Sequence, residues 1–364
     1  MKQARRIEAV FEFVRIIASL MIAYVVALLV LFFVSDEPVH VIKQFVLGPF
    51  SSPRRIGSII NLAIPFTMCG LGMCFVYSVN KLNLLGEGIF MLAGCITTYV
   101  GIHMGSLGLP AYLNWAILLL VGGLVGALCM VLPAWLDVKL NASVIVVSIM
   151  ATTVLSELAQ YILQYEMRDT STSYLSSYPL ESTMTMPKLL PTSLKIQSGL
   201  LIAAVMVIIA VVLLHKTTLG YKMRMVGSNV KMAKAAGIST MSTIIIAQVI
   251  GGFLSGMGGS LEIINSYTRF LWTDTTGHGY DGLLVAVLAK KNPMYVPLTA
   301  LLLAYIRVGS DVVNSSSSIP NEFVSVIQCI IILLVAAETF LSKQRNKLIC
   351  KAAEENLKQE QKTA

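Results

Sequence analysis

The feature that most restricts this chain is a series of apolar runs, each about twenty residues long and carrying at most one charge. Residues 16–34 form the first, nineteen residues without a charge. At about 1.5 Å per residue a helix of that length covers the hydrocarbon thickness of a bilayer. Lipid offers no hydrogen-bond partner to the backbone, so such runs must close their hydrogen bonds internally, as helices. Comparable runs occupy residues 56–78, 84–102, 112–132, 142–163, 198–214, 241–264 and 323–340. Charged residues make up 13% of the 364 residues, against about 25% in a soluble domain. Mean hydropathy is +0.76. A polytopic membrane protein follows.

The net charge of +8 does not point to nucleic acid, because the Lys and Arg residues cluster at the ends of the apolar runs and in the tails. That is the distribution of the positive-inside rule. The six cysteines lie in apolar stretches, apart from Cys350 in the basic tail, and show no ligand spacing. They read as small buried side chains, not as a metal site or a disulfide frame. Residues 16–34 are followed by Ser-Asp-Glu-Pro and not by small residues, so no cleavable signal is expected.

Charge fixes a topology. Lys2, Arg5, Arg6 and Arg15 put the N-terminus in the cytoplasm. Residues 35–55 form an outer loop with a short surface helix. Lys81 marks a tight cytoplasmic turn, and Asp137 and Lys139 mark the next. Residues 164–196 form the longest outer loop. Six crossings then return the chain to residues 215–240, where Lys216, Lys222, Arg224, Lys231 and Lys234 stand without an acid. This loop is either a topological anchor or a docking surface for a soluble partner. Beyond it, residues 282–289 and 296–306 are two short apolar pieces around Lys290-Lys291-Asn292-Pro293. They suggest a broken or re-entrant hairpin, or two short spans. The expected fold is all-α, with eight full transmembrane helices plus the hairpin, or ten helices. Residues 1–341 would form a single permease-like membrane domain, and residues 342–364 a basic cytoplasmic tail.

Residues 241–264 are glycine-dense. Gly252 with Gly256, and Ser255 with Gly259, are small-xxx-small pairs that admit a neighbouring helix closely. Acids near lipid each need a reason. Glu87 and Asp281 stand at helix starts, where the macrodipole favours them. Each is followed by glycine and a short apolar run, an echo that an inverted repeat would produce, with Glu87 at a cytoplasmic entry and Asp281 at an outer one. Glu157 lies well inside a span, facing an aqueous path or hydrogen-bonded within the bundle. Glu262 reads as snorkelling toward water, and His103 and His278 as ordinary loop residues. There is no phosphate-binding loop, His-Glu-x-x-His or Gly-x-Ser-x-Gly motif. A polytopic chain without catalytic motifs is most simply a pathway. An ion-coupled secondary transporter using Glu157 and Asp281, or a structural membrane protein, are the alternatives.

Three blocks carry a family resemblance: Asn83-Leu-Leu-Gly-Glu87-Gly88; the loop positions Gly220, Arg224, Val226, Gly227, Asn229, Ala233, Ala236, Gly237 and Ile238; and Gly279-Tyr-Asp281-Gly282 with the following Asn292-Pro293. In order and spacing they resemble the permease subunits of bacterial ABC importers of the branched-chain amino acid, ribose and nucleoside group, most closely those for nucleosides or simple sugars that work with a basic-membrane-type lipoprotein. Leu85 and Ile89 depart from the first block. The resemblance implies a plasma-membrane permease with both termini cytoplasmic, which carries no cofactor and uses ATP and magnesium bound by a separate ATPase subunit. It implies as further partners a second permease, a different chain where members of the group occur as unlike pairs, with the long outer loop and extended tail here fitting the larger of the two, and an extracellular substrate-binding lipoprotein. Gly220, Arg224, Gly227, Asn229, Ala233, Ala236 and Gly237 would belong to the coupling loop that docks on the ATPase. For a nucleoside or sugar, Asn83, Glu87, Thr152 and Asp281 are candidate path-lining residues, since a polar solute needs hydrogen-bond partners near the midplane. Branched-chain amino acids remain an alternative substrate.

Overall fold

A computed structural model describes residues 38–105, 108–189 and 194–316. The expected spans at 16–34 and 323–340, and the tail 342–364, lie outside the described residues. Among the described residues the protein is all-helical, with eleven α-helices and a short 3-10 turn, Gly48–Phe50. Only isolated bridges occur otherwise, between Arg168 and Ser177 and between Lys188 and Gln197.

The helices are α1 (Pro38–Leu47), α2 (Pro53–Ser78), α3 (Gly86–Met104), α4 (Ala111–Leu140), α5 (Val144–Tyr165), α6 (Gly199–Lys216), α7 (Thr218–Ser228), α8 (Val230–Ala235), α9 (Thr240–Ser266), α10 (His278–Leu288) and α11 (Val296–Ser316). Seven of them, α2 to α6, α9 and α11, are long and apolar enough to cross a membrane. The chain divides into two compact units. In the described part of the smaller one, α1 buries Phe45, and a side chain on Gly309 would press against the Phe45 carbonyl. The larger unit, Pro49–Val308, holds the remaining features.

Burial divides the spans into inner and outer sets. In α2, α3 and α9 most residues are buried, whereas α4, α5 and α6 bury only a stripe and expose Leu, Ile and Val around it. Helix α9 is central. Its Gly252 and Gly256 lie against the backbone of Gly126 and Gly122 on α4, and its Gly259 against the Phe90 carbonyl of α3. Ser255 sits opposite Gly72 of α2. Small residues on both partners bring backbones together, the packing that gives van der Waals contact where lipid supplies no hydrophobic drive.

Two boundaries differ from the sequence expectation. Helix α4 runs on to Leu140, so Asp137 and Lys139 are helical and not in a turn. The extension is held by an ion pair of 2.7 Å from Lys81 Nζ to Asp137 Oδ1. The second short apolar piece is not half-length. Helix α11 continues through Arg307 and Asp311 to Ser316, long enough to span, while α10 stays at 11 residues. Residues 289–295 break the pair, with Lys290 and Lys291 in the left-handed region. The loop at 215–240 holds two helices, α7 and α8, separated at extended Asn229.

The outer loop after α5 is laid against the segment that follows α9. Leu180 N donates to Thr268 O at 2.8 Å, Met186 N to Ile264 O at 2.7 Å and Ser177 N to Phe270 O at 3.1 Å. Arg269 Nη1 lies 2.8 Å from Asp169 Oδ2. The hydroxyl and amide of Ser171 donate to Asp169 Oδ1, and these bonds, with Arg269, hold its carboxyl below the usual carboxylate range. Met167, Leu180, Met184 and Met186 are buried beneath.

Candidate functional site

Two helices begin inside the bundle, and their N-termini meet. Residues 79–85 leave α2 at its end and run inward along α5. Leu84 N donates to Ser148 Oγ at 3.0 Å, while Thr152 Oγ1 donates to Leu84 O at 3.1 Å. Asn83 is fully buried. Its amide donates to Gln248 Oε1 of α9 at 2.7 Å and to Met130 Sδ at 3.1 Å, and its Oδ1 accepts from Leu85 N at 3.0 Å. Only then does α3 start, opposite Ser255 near the middle of α9 and Thr152 in α5.

Helix α10 reaches the same place from the other direction. Its Gly282 lies against Cys69 in the middle of α2, and Gly279 lies on the backbone of Gly86 and Glu87. The Glu87 carboxylate joins the two. Oε1 accepts from Gly277 N at 2.7 Å and Thr276 Oγ1 at 3.1 Å, and Oε2 from Gly279 N at 2.7 Å. Neither α3 nor α10 has a side-chain N-cap of its own. One carboxylate therefore serves the first-turn amides of α10 from the first turn of α3, where both macrodipoles favour a negative charge.

Aromatic and charged side chains surround this junction. The His278 ring stacks on Phe90 at 5.1 Å between centroids and meets Phe66 edge-on at 5.5 Å. Trp272 stacks on the Phe90 ring at 5.3 Å. Asp281 pairs with Arg307 of α11 at 2.9 Å, and the Arg307 guanidinium lies over Phe66. Of the four polar residues singled out from sequence, Glu87 and Asp281 thus converge on the start of α10, and Asn83 and Thr152 fasten the segment that leads to α3. Arg307, His278, Gln248, Phe90 and Trp272 were not singled out. Arg307 had a signal: a lone base within an apolar stretch is costly in lipid and calls for an acidic partner.

Several single residues fall differently from expectation. Of the two readings of Glu157, the hydrogen-bonded one is not met, since the residue is on the exposed face of α5. Glu262 is buried and does not snorkel. His278 starts a helix inside the aromatic cluster, and His103 belongs to the last turn of α3, with Nδ1 2.8 Å from Tyr99 O. Among the described residues no cluster of His, Cys, Asp and Glu could hold a metal ion.

At the opposite end of α9, the pair α7 and α8 forms a compact projection. Thr217 Oγ1 caps α7 by accepting from Gly220 N at 3.2 Å, and Gly220 packs on the final carbonyls of α6. Gly227 rests on the Ser78 carbonyl at the end of α2, with Met223 and Val226 buried beside it. Asn229 Oδ1 caps α8 through Lys231 N at 3.0 Å and Met232 N at 3.1 Å. Ala233 is the buried residue of α8, Ala236 closes the helix, and Gly237 turns the chain out with φ +75°. Arg224 is half-buried. Tyr221, Lys222, Val230, Lys231, Met232 and Lys234 face outward, a surface of bases and apolar side chains.

Residues 55–336 match the family described as branched-chain amino acid transport system / permease component. The chain belongs to this family. It is similar to a glucose ABC transporter permease protein of Haloferax volcanii, 26% identical, with 85% of this chain and 83% of that one covered. It is 25% identical to a guanosine ABC transporter permease protein of Bacillus subtilis, over 84% and 88% of the two chains. A nucleoside ABC transporter permease protein of Lactococcus lactis is also 25% identical, over 83% and 84%. The permease is a multi-pass membrane component of an ABC importer, which as a class works with an ATPase and a substrate-binding protein. It is a transport part and not an enzyme.

Proposed function

We propose that this permease imports a nucleoside or a related small polar solute such as a simple sugar. The observation that carries the substrate class is the company of relatives named for guanosine, nucleosides and glucose, each matched over more than four-fifths of both chains. The aromatic rings and hydrogen-bonding groups around Glu87 are chemistry suited to a solute with a flat or hydroxyl-bearing face. In this reading Glu87 and Asp281 stand at the junction the solute must pass, and Asn83 and Thr152 hold the entry to α3 in place.

The projection of α7 and α8 is the ATPase-docking element. Its backbone is locked by Thr217, Asn229 and Gly237, while its outward surface is free to meet a soluble protein. A stiff element transmits movement of its partner to α6, α2 and α9, on which it rests. ATP and magnesium then belong to the ATPase, and this chain binds neither. A second permease, an unlike chain, covers the face of α5 that carries Glu157, since an acid in contact with lipid is costly. The protein sits in a bacterial plasma membrane, with α7 and α8 and both termini in the cytoplasm. Helices α2 with α3 and α9 with α10 form the cores of an inverted repeat, each a long span followed by a helix that starts inside the bundle. The ion-coupled alternative gains no support, because Asp281 is engaged by Arg307 and Glu157 faces outward.

Uptake of labelled guanosine, adenosine, glucose, ribose and leucine by cells with and without this chain tests the substrate. Selective loss of nucleoside or sugar uptake on deletion is expected. Loss of leucine uptake alone would overturn the assignment.

A further inference from the structure

Two cavities lie end to end along one face of α9. The first, of about 200 Å³, is lined by Thr218 and Lys222 of α7 and by Ser239, Ser242 and Thr243 where α9 begins. The second, of about 310 Å³, is wholly apolar, with Phe75 of α2, Ala127 of α4, Met206 and Leu213 of α6, and Ile250 and Phe253 of α9 on its walls. The positions 242, 246, 250 and 253 follow one another at helical spacing, so both cavities open on the same strip of α9. From Ser242 to Phe253 that strip is about 16 Å long, close to the hydrocarbon depth of one leaflet, half of about 30 Å.

Chemistry changes along the strip in the order a phospholipid requires. The polar cavity lies where the apolar run of α6 has ended in His215 and Lys216, at the level of the lipid headgroups. Its lining holds hydroxyls, one lysine and no acid beside the apolar Leu219, Met223 and Ile246, and no Asp or Glu occurs anywhere in residues 215–240. The first turns of α7 and α9 both border it, and the Ser239 side chain does not cap the first amides of α9; its Oγ donates to Ser242 Oγ. The apolar cavity continues inward with nothing to hydrogen-bond. Ile209 on the apolar cavity and Ile246 on the first one are both exposed. We infer that this groove binds an anionic phospholipid, with the phosphate beside Lys222 and an acyl chain along α9. The lipid would brace the corner of α6 and α7 against α9, at the root of the cytoplasmic projection.

The full chain, purified in mild detergent and stripped of lipid, is titrated with phosphatidylglycerol and with phosphatidylcholine of the same chain length, and occupancy is read by native mass spectrometry. Inorganic phosphate is a third arm. The wild type should take one phosphatidylglycerol about fivefold more tightly than phosphatidylcholine, the worth of one lysine near the headgroups. Lys222→Gln should abolish that preference, Ile250→Trp should weaken both lipids by filling the groove, and phosphate alone should not displace the lipid. Ser242→Glu, at an exposed rim position, gives a second route to the same loss if thermal unfolding shows either of the other variants to be misfolded. Equal affinity for the two lipids in the wild type, or no change in any variant, overturns the proposal. So does displacement by phosphate alone, which would reduce the site to a simple anion pocket. A bifunctional cross-linker placed at Ile246→Cys that captures a protein subunit and no lipid would show that the groove is a protein interface.

Discussion

The Glu87 carboxylate accepts the amide of Gly279 at 2.7 Å, so a side chain from the first turn of α3 completes the N-terminus of α10. The two residues are 192 positions apart in sequence. With Gly277 bound to the other oxygen, each helix start depends on the other. A movement that separates α3 from α10 leaves two backbone amides and a carboxylate without partners together.

Glu87→Gln is the sharpest test of that dependence. Glutamine keeps the shape but presents one acceptor oxygen, and its amide would face a backbone N–H. The expected cost is about 2–4 kcal/mol, from an unpaired buried donor and the loss of a charge-assisted bond. Thermal unfolding in detergent should show the drop, and uptake should fall with it. Glu87→Asp, which keeps the charge but not the reach, should retain part of both.

Asp281 and Arg307 should behave as a unit. Removing Arg307 alone leaves a carboxylate without its cation, at a cost of about 3–5 kcal/mol. Asp281→Leu with Arg307→Leu should recover much of the thermal stability lost in Arg307→Leu, because the pair is replaced by apolar packing. A thermal double-mutant cycle measures the coupling. Uptake should stay low in all three variants.

Glycine substitutions separate close packing from backbone conformation. A side chain on Gly256 meets the Gly122 carbonyl of α4, which is backbone and cannot move aside. Gly256→Val should therefore cost about 1–3 kcal/mol or more from overpacking and loosen the pair. Gly237 has φ +75° with open space around it. Gly237→Ala should cost only about 1–2 kcal/mol of left-handed strain. Unfolding midpoints of the two variants should differ in that order.

The outer loop should loosen with acid. The folded carboxyl of Asp169 is held below its ordinary range, so its contribution is present above the unfolded value and is lost as pH falls through the folded one. Hydrogen exchange at Leu180 and Ser177 should stay slow at neutral pH and speed up only well below pH ~4. Asp169→Asn should be fast at every pH.

The spans were legible because an uncharged run of about twenty residues has one physical outcome in lipid. What escaped was set by contacts distant in sequence. Residues 79–83 read as a turn and 84 as the start of a span, since nothing local shows that Asn83 reaches Gln248 and Thr152 reaches the Leu84 carbonyl. Glu87 and Asp281 were therefore placed at opposite entries, although their helices approach from opposite directions and meet. Helix α11 was cut short at Arg307, whose charge is answered by Asp281. The exposure of Glu157 follows from helical spacing. Ser148, Thr152, Ser156, Ala159 and Leu163 mark the buried stripe of α5 at helical spacing, and position 157 falls off it. The caps of α7 and α8 followed local rules, whereas the division at Asn229 needed its extended backbone to be seen.

The central claim is that a separate ATPase drives this permease through α7 and α8. ATP-dependent uptake of labelled guanosine into proteoliposomes holding the assembled transporter tests it most directly, with wild type beside an Arg224→Glu, Gly237→Pro double variant present at equal amount. The account predicts uptake only when the ATPase subunit and ATP are both present, and its loss in the variant. Uptake by the chain alone, or undiminished uptake in the variant, would contradict it.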